Sequence, residues 1–185
     1  KLFDSFFKFV SSRKYFDPGF LCRVDLNTVA LAAYDTIYLV SVSNNTLTQV
    51  RSITVGKTCN GIASYQQNII VGISGNSLLT YDTSDKIVNR IISYDKLGTY
   101  GTHCVSEDGQ KIYYPAGNTV VTIDMKGNKL NTFESKDLRG ASGIFTDKQG
   151  IIYICGKESN NVILVSSEGR QLGVLLSRDH GLQKP

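Results

Sequence analysis

One interval constrains this chain more than any other feature: its landmarks return every 40 to 42 residues. The pair Ile112-Tyr113 follows the turn Ser106-Glu107-Asp108-Gly109-Gln110. It returns as Ile152-Tyr153 after Thr146-Asp147-Lys148-Gln149-Gly150, a spacing of 40. Val120 and Gly127 return as Val162 and Gly169, and Tyr81-Asp82 returns as Ile123-Asp124, each 42 residues on. Upstream, Leu39 and Leu47 return as Leu79 and Ile87, 40 residues on. A unit of that length cannot bury its own apolar surface and is stabilised by stacking on its neighbours.

Each unit divides into four short runs, which in the last unit are residues 143–146, 151–155, 161–166 and 170–176. The residues between runs are those that tight hairpins require: Asp108-Gly109, Gly75-Asn76, Gly117-Asn118, Lys126-Gly127-Asn128 and Glu168-Gly169. Runs such as Ile69-Ile70-Val71 and Val162-Ile163-Leu164-Val165 are apolar at odd and even positions alike. Successive side chains of a strand point to opposite faces, so these sheets must be covered on both sides.

Together these features predict an all-β fold, a β-propeller of four-stranded antiparallel blades. Residues 1–14 read as the last two strands of one blade, residues 20–53, 59–92, 102–133 and 142–176 as four blades, and residues 177–185 as the start of another. About four and a half blades are present, and a unit of this size is expected to close as a six-bladed ring. The terminal blades of such a segment would each expose an apolar face and an unpaired edge.

The last unit also resembles a known repeat. Gly143-Ile144-Phe145-Thr146-Asp147, Gly150, Ile152-Tyr153-Ile154, Asn161-Val162-Ile163-Leu164-Val165 and Gly169 are similar to one NHL repeat. With residues 53–64, 120–133 and 176–185, nearly the whole chain resembles the C-terminal propeller region of TRIM-like and B-box proteins of the mollusc type. Two positions depart from the repeat: Phe145 stands where a small residue is usual, and Ile163, Val121 and Leu78 stand where the third strand usually carries Arg. The resemblance implies a non-catalytic recognition module that binds a target protein, at the substrate-recognition end of a TRIM-like E3 ubiquitin ligase in the cytoplasm. It implies RNA as the alternative partner, and it leaves oligomerisation to other parts of the parent.

The residues bound the chemistry further. Zinc-bound RING and B-box modules need clustered Cys and His, whereas Cys22, Cys59, Cys104 and Cys155 are scattered and His numbers two. A reduced, intracellular setting is the simplest reading of these cysteines, although their even number also permits two disulfides. No apolar run approaches the ~18 residues of a membrane span, and the first residues do not read as a secretory signal. No cofactor or metal is expected.

A propeller places the linkers between blades and the turns between second and third strands on one face. That face carries Arg13, Lys14, Lys57, Lys96, Lys136, Arg139 and Lys157 against Asp17, Asp35, Asp95, Glu134, Asp137 and Glu158, a net of +1. Such a balance suits a protein partner better than the several phosphate contacts of a nucleic acid. Tyr15, Phe16 and Tyr100 lie among the basic residues and would either stack bases or cap blades. The expected binding face is therefore Arg13, Lys14, Tyr15, Lys57, Lys96, Tyr100, Lys136, Arg139 and Lys157.

A secreted propeller hydrolase or lactonase is the competing enzyme reading. It would need oxygen ligands on the first strands, where Ile144, Phe145, Ile62, Ala63, Cys104 and Val105 stand instead. Asn60 and His103 are the polar residues expected near the channel, with Cys104 packed and His103 on the turn side. Ser177, Asp179 and His180 have the residue types of an acyl-transfer site but share one short loop. Asn44-Asn45-Thr46 matches a glycosylation sequon and reads as a hairpin turn.

Overall fold

A computed structural model describes the backbone of residues 2–3, 9–11, 19–44, 46–74, 77–82, 87–92 and 102–185, with side chains outside 2–3, 9–11 and 87–92. The described residues form four antiparallel sheets of four strands, each a simple meander in chain order. Blade 1 comprises β3 (Phe20–Arg23), β4 (Thr28–Ala33), β5 (Thr36–Ser43) and β6 (Thr46–Thr54). Blade 2 comprises β7 (Cys59–Tyr65), β8 (Asn68–Ile73), β9 (Ser77–Tyr81) and β10 (Ile87–Ile92). Blade 3 comprises β11 (Cys104–Val105), β12 (Lys111–Ala116), β13 (Thr119–Asp124) and β14 (Lys129–Glu134). Blade 4 comprises β15 (Ala141–Thr146), β16 (Ile152–Gly156), β17 (Asn161–Val165) and β18 (Gln171–Leu176). Ahead of them β1 (Leu2–Phe3) pairs antiparallel with β2 (Phe9–Ser11).

First strands meet across the blades, β3 on β7, β7 on β11 and β11 on β15, as in a propeller. Alternation along each strand then divides its side chains between two cores. Ile69 and Val71 join Ala30, Ile37 and Ile53 between blades 1 and 2, while Ile70, between them in sequence, joins Ile112, Tyr114 and Ile123 between blades 2 and 3. Tyr113 faces the other way from Ile112 and Tyr114, and packs with Phe133, Leu138, Ile154 and Ile163 between blades 3 and 4. Each fully buried aliphatic or aromatic side chain contributes about 1.5–3 kcal/mol.

Blade 4 shows the same alternation with one side open. Ile152, Ile154, Ile163 and Val165 are buried against blade 3. The outward residues Tyr153, Val162 and Leu164 are half-buried, and Phe145 is 61% exposed. Among the described residues no helix is long and apolar enough to cross a membrane, which says nothing of β-barrels.

Register is set by a recurring turn. In Ser106–Gly109, Asp124–Gly127, Asp147–Gly150 and Ser166–Gly169 the glycine amide donates to the first residue's carbonyl, at 2.8 to 3.0 Å in the range of good hydrogen bonds. Those glycines have φ between 69° and 90°, a conformation that costs an L side chain strain. The first residue's side chain also accepts an amide from beyond the turn, as Asp124 Oδ1 does from Asn128 and Asp147 Oδ1 from Ile151, at 2.8 and 2.9 Å. The Asn128 side-chain amide and then the turn amides hold the Asp124 carboxyl below the ordinary carboxylate range. Its contribution to stability is therefore present at neutral pH and is lost as pH falls through that range.

The third turn of blade 1 corresponds to the sequon. Asn44 has a φ of 47°, and Thr46 Oγ1 donates to the Ser43 carbonyl at 2.7 Å, so the turn reading holds for the residues described there. Gly75-Asn76 lies outside the described residues.

Two glycines separate backbone strain from packing. Both have left-handed φ, 69° at Gly109 and 66° at Gly117, but a Cβ on Gly109 would fall on the Tyr65 ring while one on Gly117 would meet nothing within 4 Å. Gly117→Ala is expected to cost about 1–2 kcal/mol from strain alone. Gly109→Ala is expected to cost more, because the ring must also move. Urea unfolding of the two variants gives the comparison.

Candidate partner-recognition face

The described linkers, after blades 1, 3 and 4, cross one face of the molecule because each meander has an even number of strands. There they are tied to the second turn of the preceding blade. Linker residues after blade 1 bond to its second turn through Val55 N to Asp35 O, 2.7 Å, and Cys59 N to Tyr34 O, 2.6 Å. After blade 3, Ala141 N donates to Gly117 O at 2.8 Å and Gly140 N to Asn118 Oδ1 at 2.9 Å. After blade 4, Lys184 N donates to Asn160 Oδ1 at 3.0 Å, so Asn118 and Asn160 hold successive linkers in the same way.

The linker after blade 3 is held most thoroughly. Leu138 is buried under it, 1% exposed, and fixes residues 135–140 to the core. Asn161 is buried and donates from Nδ2 to Asp137 O at 2.6 Å, while its Oδ1 accepts from Ser159 Oγ at 2.7 Å. Arg139 N donates to Ser159 Oγ at 3.1 Å, and Lys157 N donates to Gly140 O at 2.9 Å. Asp137 Oδ2 accepts from Gln171 Nε2 at 2.9 Å, which ties the linker to the outer strand of blade 4.

These bonds bring Arg139 and Lys157 onto adjoining segments, with Lys136 on the same linker, and all three side chains are exposed. Glu134 and Glu158 are exposed beside them, and so the patch is mixed in sign. Lys57 is exposed on the linker after blade 1, on the same face but at a different junction. Arg13, Lys14, Tyr15, Lys96 and Tyr100 lie outside the described residues. Sequence reasoning passed over Tyr34, which is 68% exposed in the second turn of blade 1 with φ 51°. Its signal was an aromatic residue in a turn position that normally takes Gly, Asn or Asp.

One expectation about chemistry changes here. His103 is not on the turn side: it is 5% exposed, with its ring centroid 6.1 Å from that of Tyr114. The ring occupies the space that a side chain on Gly72 would need, since a Cβ there would stand 2.7 Å from His103 Cε1. It is a core residue of the junction between blades 2 and 3. Ser177 Oγ lies 3.1 Å from His180 Nδ1, within a capping box on the short 3-10 turn Arg178–His180. Asp179 supplies its backbone amide to the same hydroxyl.

All four cysteines are free thiols in the structure. Burial pushes Cys22 up to about 12, partly offset by the Ser64 hydroxyl, and pushes Cys59 up to about 11 with help from Asp35. Burial also raises Cys104 and Cys155. These thiols are poor nucleophiles at neutral pH. Among the described residues no group of three or more His, Cys, Asp or Glu side chains is placed to hold a metal ion.

Comparison with known proteins fits this architecture. The chain is 24% identical over 174 residues to the E3 ubiquitin-protein ligase TRIM56 of Bos taurus, which covers 86% of this chain and 23% of that protein. The human TRIM56 gives 24% identity over 174 residues and 86% and 22% coverage. The chain thus spans less than a quarter of the length of these relatives. A crystal structure of a protein of unknown function from Bacteroides caccae superposes with a TM-score of 0.71 at 10% identity, covering 90% of this chain and 63% of that one. Hydrazine synthase of Kuenenia stuttgartiensis superposes with a TM-score of 0.65 at 14% identity, covering 89% and 51%. These two likenesses concern the fold alone. No protein-family model matches the chain.

Two outcomes are expected. Asn161→Ala, which removes the partner of the half-buried Asp137 carbonyl, is expected to cost about 1–3 kcal/mol. Amide exchange is expected to quicken at Arg139 and Lys157 while Ile154 is unaffected. Alkylation of Cys22 and Cys59 by iodoacetamide at pH 8 is expected to run more than about tenfold slower than at a free thiol, and to recover its ordinary rate in urea.

Proposed function

We propose that this chain is a non-catalytic recognition module of a cytoplasmic TRIM-like protein, and that it binds a target protein through the linker face. The observation that carries this reading is the linker after blade 3. Asn118, Asn161 and Ser159 fix its backbone, and Lys136 and Arg139 stand exposed upon it, with Lys157 on the adjoining turn of blade 4, among acidic neighbours. A preformed surface of this kind spends little entropy on binding, and its mixed charge orients a protein partner rather than tracking a phosphate backbone. The similarity to TRIM56 over 86% of the chain supports the TRIM-like setting. Ligase activity would then belong to other parts of the parent, as would oligomerisation.

The NHL-type reading extends to the ring. In register terms Tyr153, Val162 and Leu176 of blade 4 stand where Tyr113, Val120 and Phe133 of blade 3 stand. The blade 3 residues are buried under blade 4, whereas Leu176 is 38% exposed. A further blade of a six-bladed ring covers the blade 4 surface.

The test uses the full-length protein with Lys57, Lys96, Tyr100, Lys136, Arg139 and Lys157 replaced together by Ala, and with Tyr34→Ala separately. Loss of partner capture of about tenfold or more, with unfolding unchanged, is expected of the combined variant. Unchanged capture would place the interface elsewhere. Weak salt dependence is expected of a protein partner. A fall of about a thousandfold between 50 and 200 mM salt would instead identify RNA.

A further inference from the structure

The junctions between blades 2 and 3 and between blades 3 and 4 differ at one place, on the face opposite the linkers. At the first junction Tyr65 ends β7, packs on the core shared by blades 2 and 3, and lays its ring against Gly109 in the first turn of blade 3. Strand pairing identifies the residue that takes its place one blade later. Ser64 faces Ile69 as Val105 faces Ile112, so the next residue is Tyr65 in blade 2 and Ser106 in blade 3.

Ser106 does not fill the space. Its hydroxyl is turned into its own turn, donating to Asp108 Oδ1 at 2.6 Å and accepting from Lys111 N at 2.9 Å. Gly150 holds the position in blade 4 that Gly109 holds in blade 3, with φ 78° against 69°. Among the described residues a Cβ on Gly150 would meet Ser167 Cβ alone, at 3.7 Å. What remains is a cleft of about 230 Å³ bordered by Ser106, Tyr113, Gly150 and Ser167. Through Lys111, Tyr113 and Ser167 it continues into a crevice of about 480 Å³ floored by Val120, Phe133, Ile152 and Val165.

We propose that this cleft takes one aromatic side chain of a partner polypeptide, in the position that Tyr65 occupies within the chain one junction earlier. Its lips determine the flanking chemistry. At the cleft Glu107 and Asp108 stand against Lys111 and Lys148, and Glu168 is added where the cleft continues into the crevice, a net of −1 for the two together. The Ser106 hydroxyl lowers the Asp108 carboxyl and the Ser167 hydroxyl lowers that of Glu168, so both acids are ionised at neutral pH. The aromatic residue is therefore one with a basic neighbour. An apolar crevice with a charged rim is the form in which aromatic anchors are bound at interfaces. The cleft and the linker face lie on opposite sides, so each stands or falls without the other.

The experiment is site-mapped photocrosslinking of the full-length protein with acetyl-Arg-(4-benzoylphenylalanine)-Gly-amide at millimolar concentration. Adducts are expected in the segments of Ser106 to Tyr113 and Lys148 to Ile152, with acetyl-Arg-Tyr-Gly-amide competing better than its Ala or Glu-Tyr counterparts. S106Y, which supplies the missing ring from within, is expected to reduce this labelling by about tenfold in protein that still unfolds cooperatively. Should S106Y fail to fold, S167Y closes the same space from the other wall and carries the same expectation. Adducts spread evenly over the surface, or undiminished labelling in a folded S106Y or S167Y, would overturn the proposal.

Discussion

The sheets of blades 2 and 3 each depend on being packed between two others. A single strand such as β8 sends Ile69 and Val71 into one core and Ile70 into the next, and neither core exists without the neighbouring blade. A slip of one residue in strand register would exchange the two sets, sending each core residue to the wrong side. The Gly-containing turns therefore do more than reverse the chain. By fixing where each strand begins they determine which of two cores each side chain enters, and stability becomes a property of junctions rather than of single blades.

The same constraint drives polar chemistry to the rims. Strand interiors are committed to packing, so variation is free mainly in turns and linkers. On the linker side that freedom is limited again, because a linker crossing the top of a junction has backbone amides that need acceptors. Asn118 and Asn160 provide them at equivalent places, and Asn161 adds a half-buried bond to the Asp137 carbonyl. Presentation of Arg139 and Lys157 is thus a by-product of satisfying the backbone, and the exposed side chains inherit a rigid base.

Much of the fold was legible because the repeat and the strand period are both local patterns. Ile112-Tyr113 and Ile152-Tyr153 marked equivalent strands, and continuous apolar runs required two covered faces. What was not legible depended on contacts between blades. Nothing adjacent to His103 reveals that Gly72, in another blade, leaves room for its ring, and so a core residue read as a turn residue. β11 contains two residues, Cys104–Val105, because the chain ahead of it is engaged across the junction: Thr102 N donates to Ser142 O, and Ile144 N donates to Thr102 Oγ1. The basic residues of the linker face were found from topology alone. The asparagines that hold them were missed, since an Asn in a turn has a sufficient local reason to be there.

In a repeat protein the departures are more informative about recognition than the repeat. Positions that obey the pattern are explained by packing that every blade shares, so they cannot distinguish one junction from another. Tyr65 and Ser106 occupy one structural position and do opposite things: one ring completes a junction, and one hydroxyl folds back on its own turn and leaves the next junction open. The cost of that opening is modest because the floor beneath it, Val120, Phe133, Ile152 and Val165, remains buried within the blade 3–4 core. A rigid stack tolerates such a gap where a single-core domain would collapse into it, since the neighbouring sheets are held apart by their own ladders. A junction that lacks its plug can therefore hold a defined cleft without losing its fold.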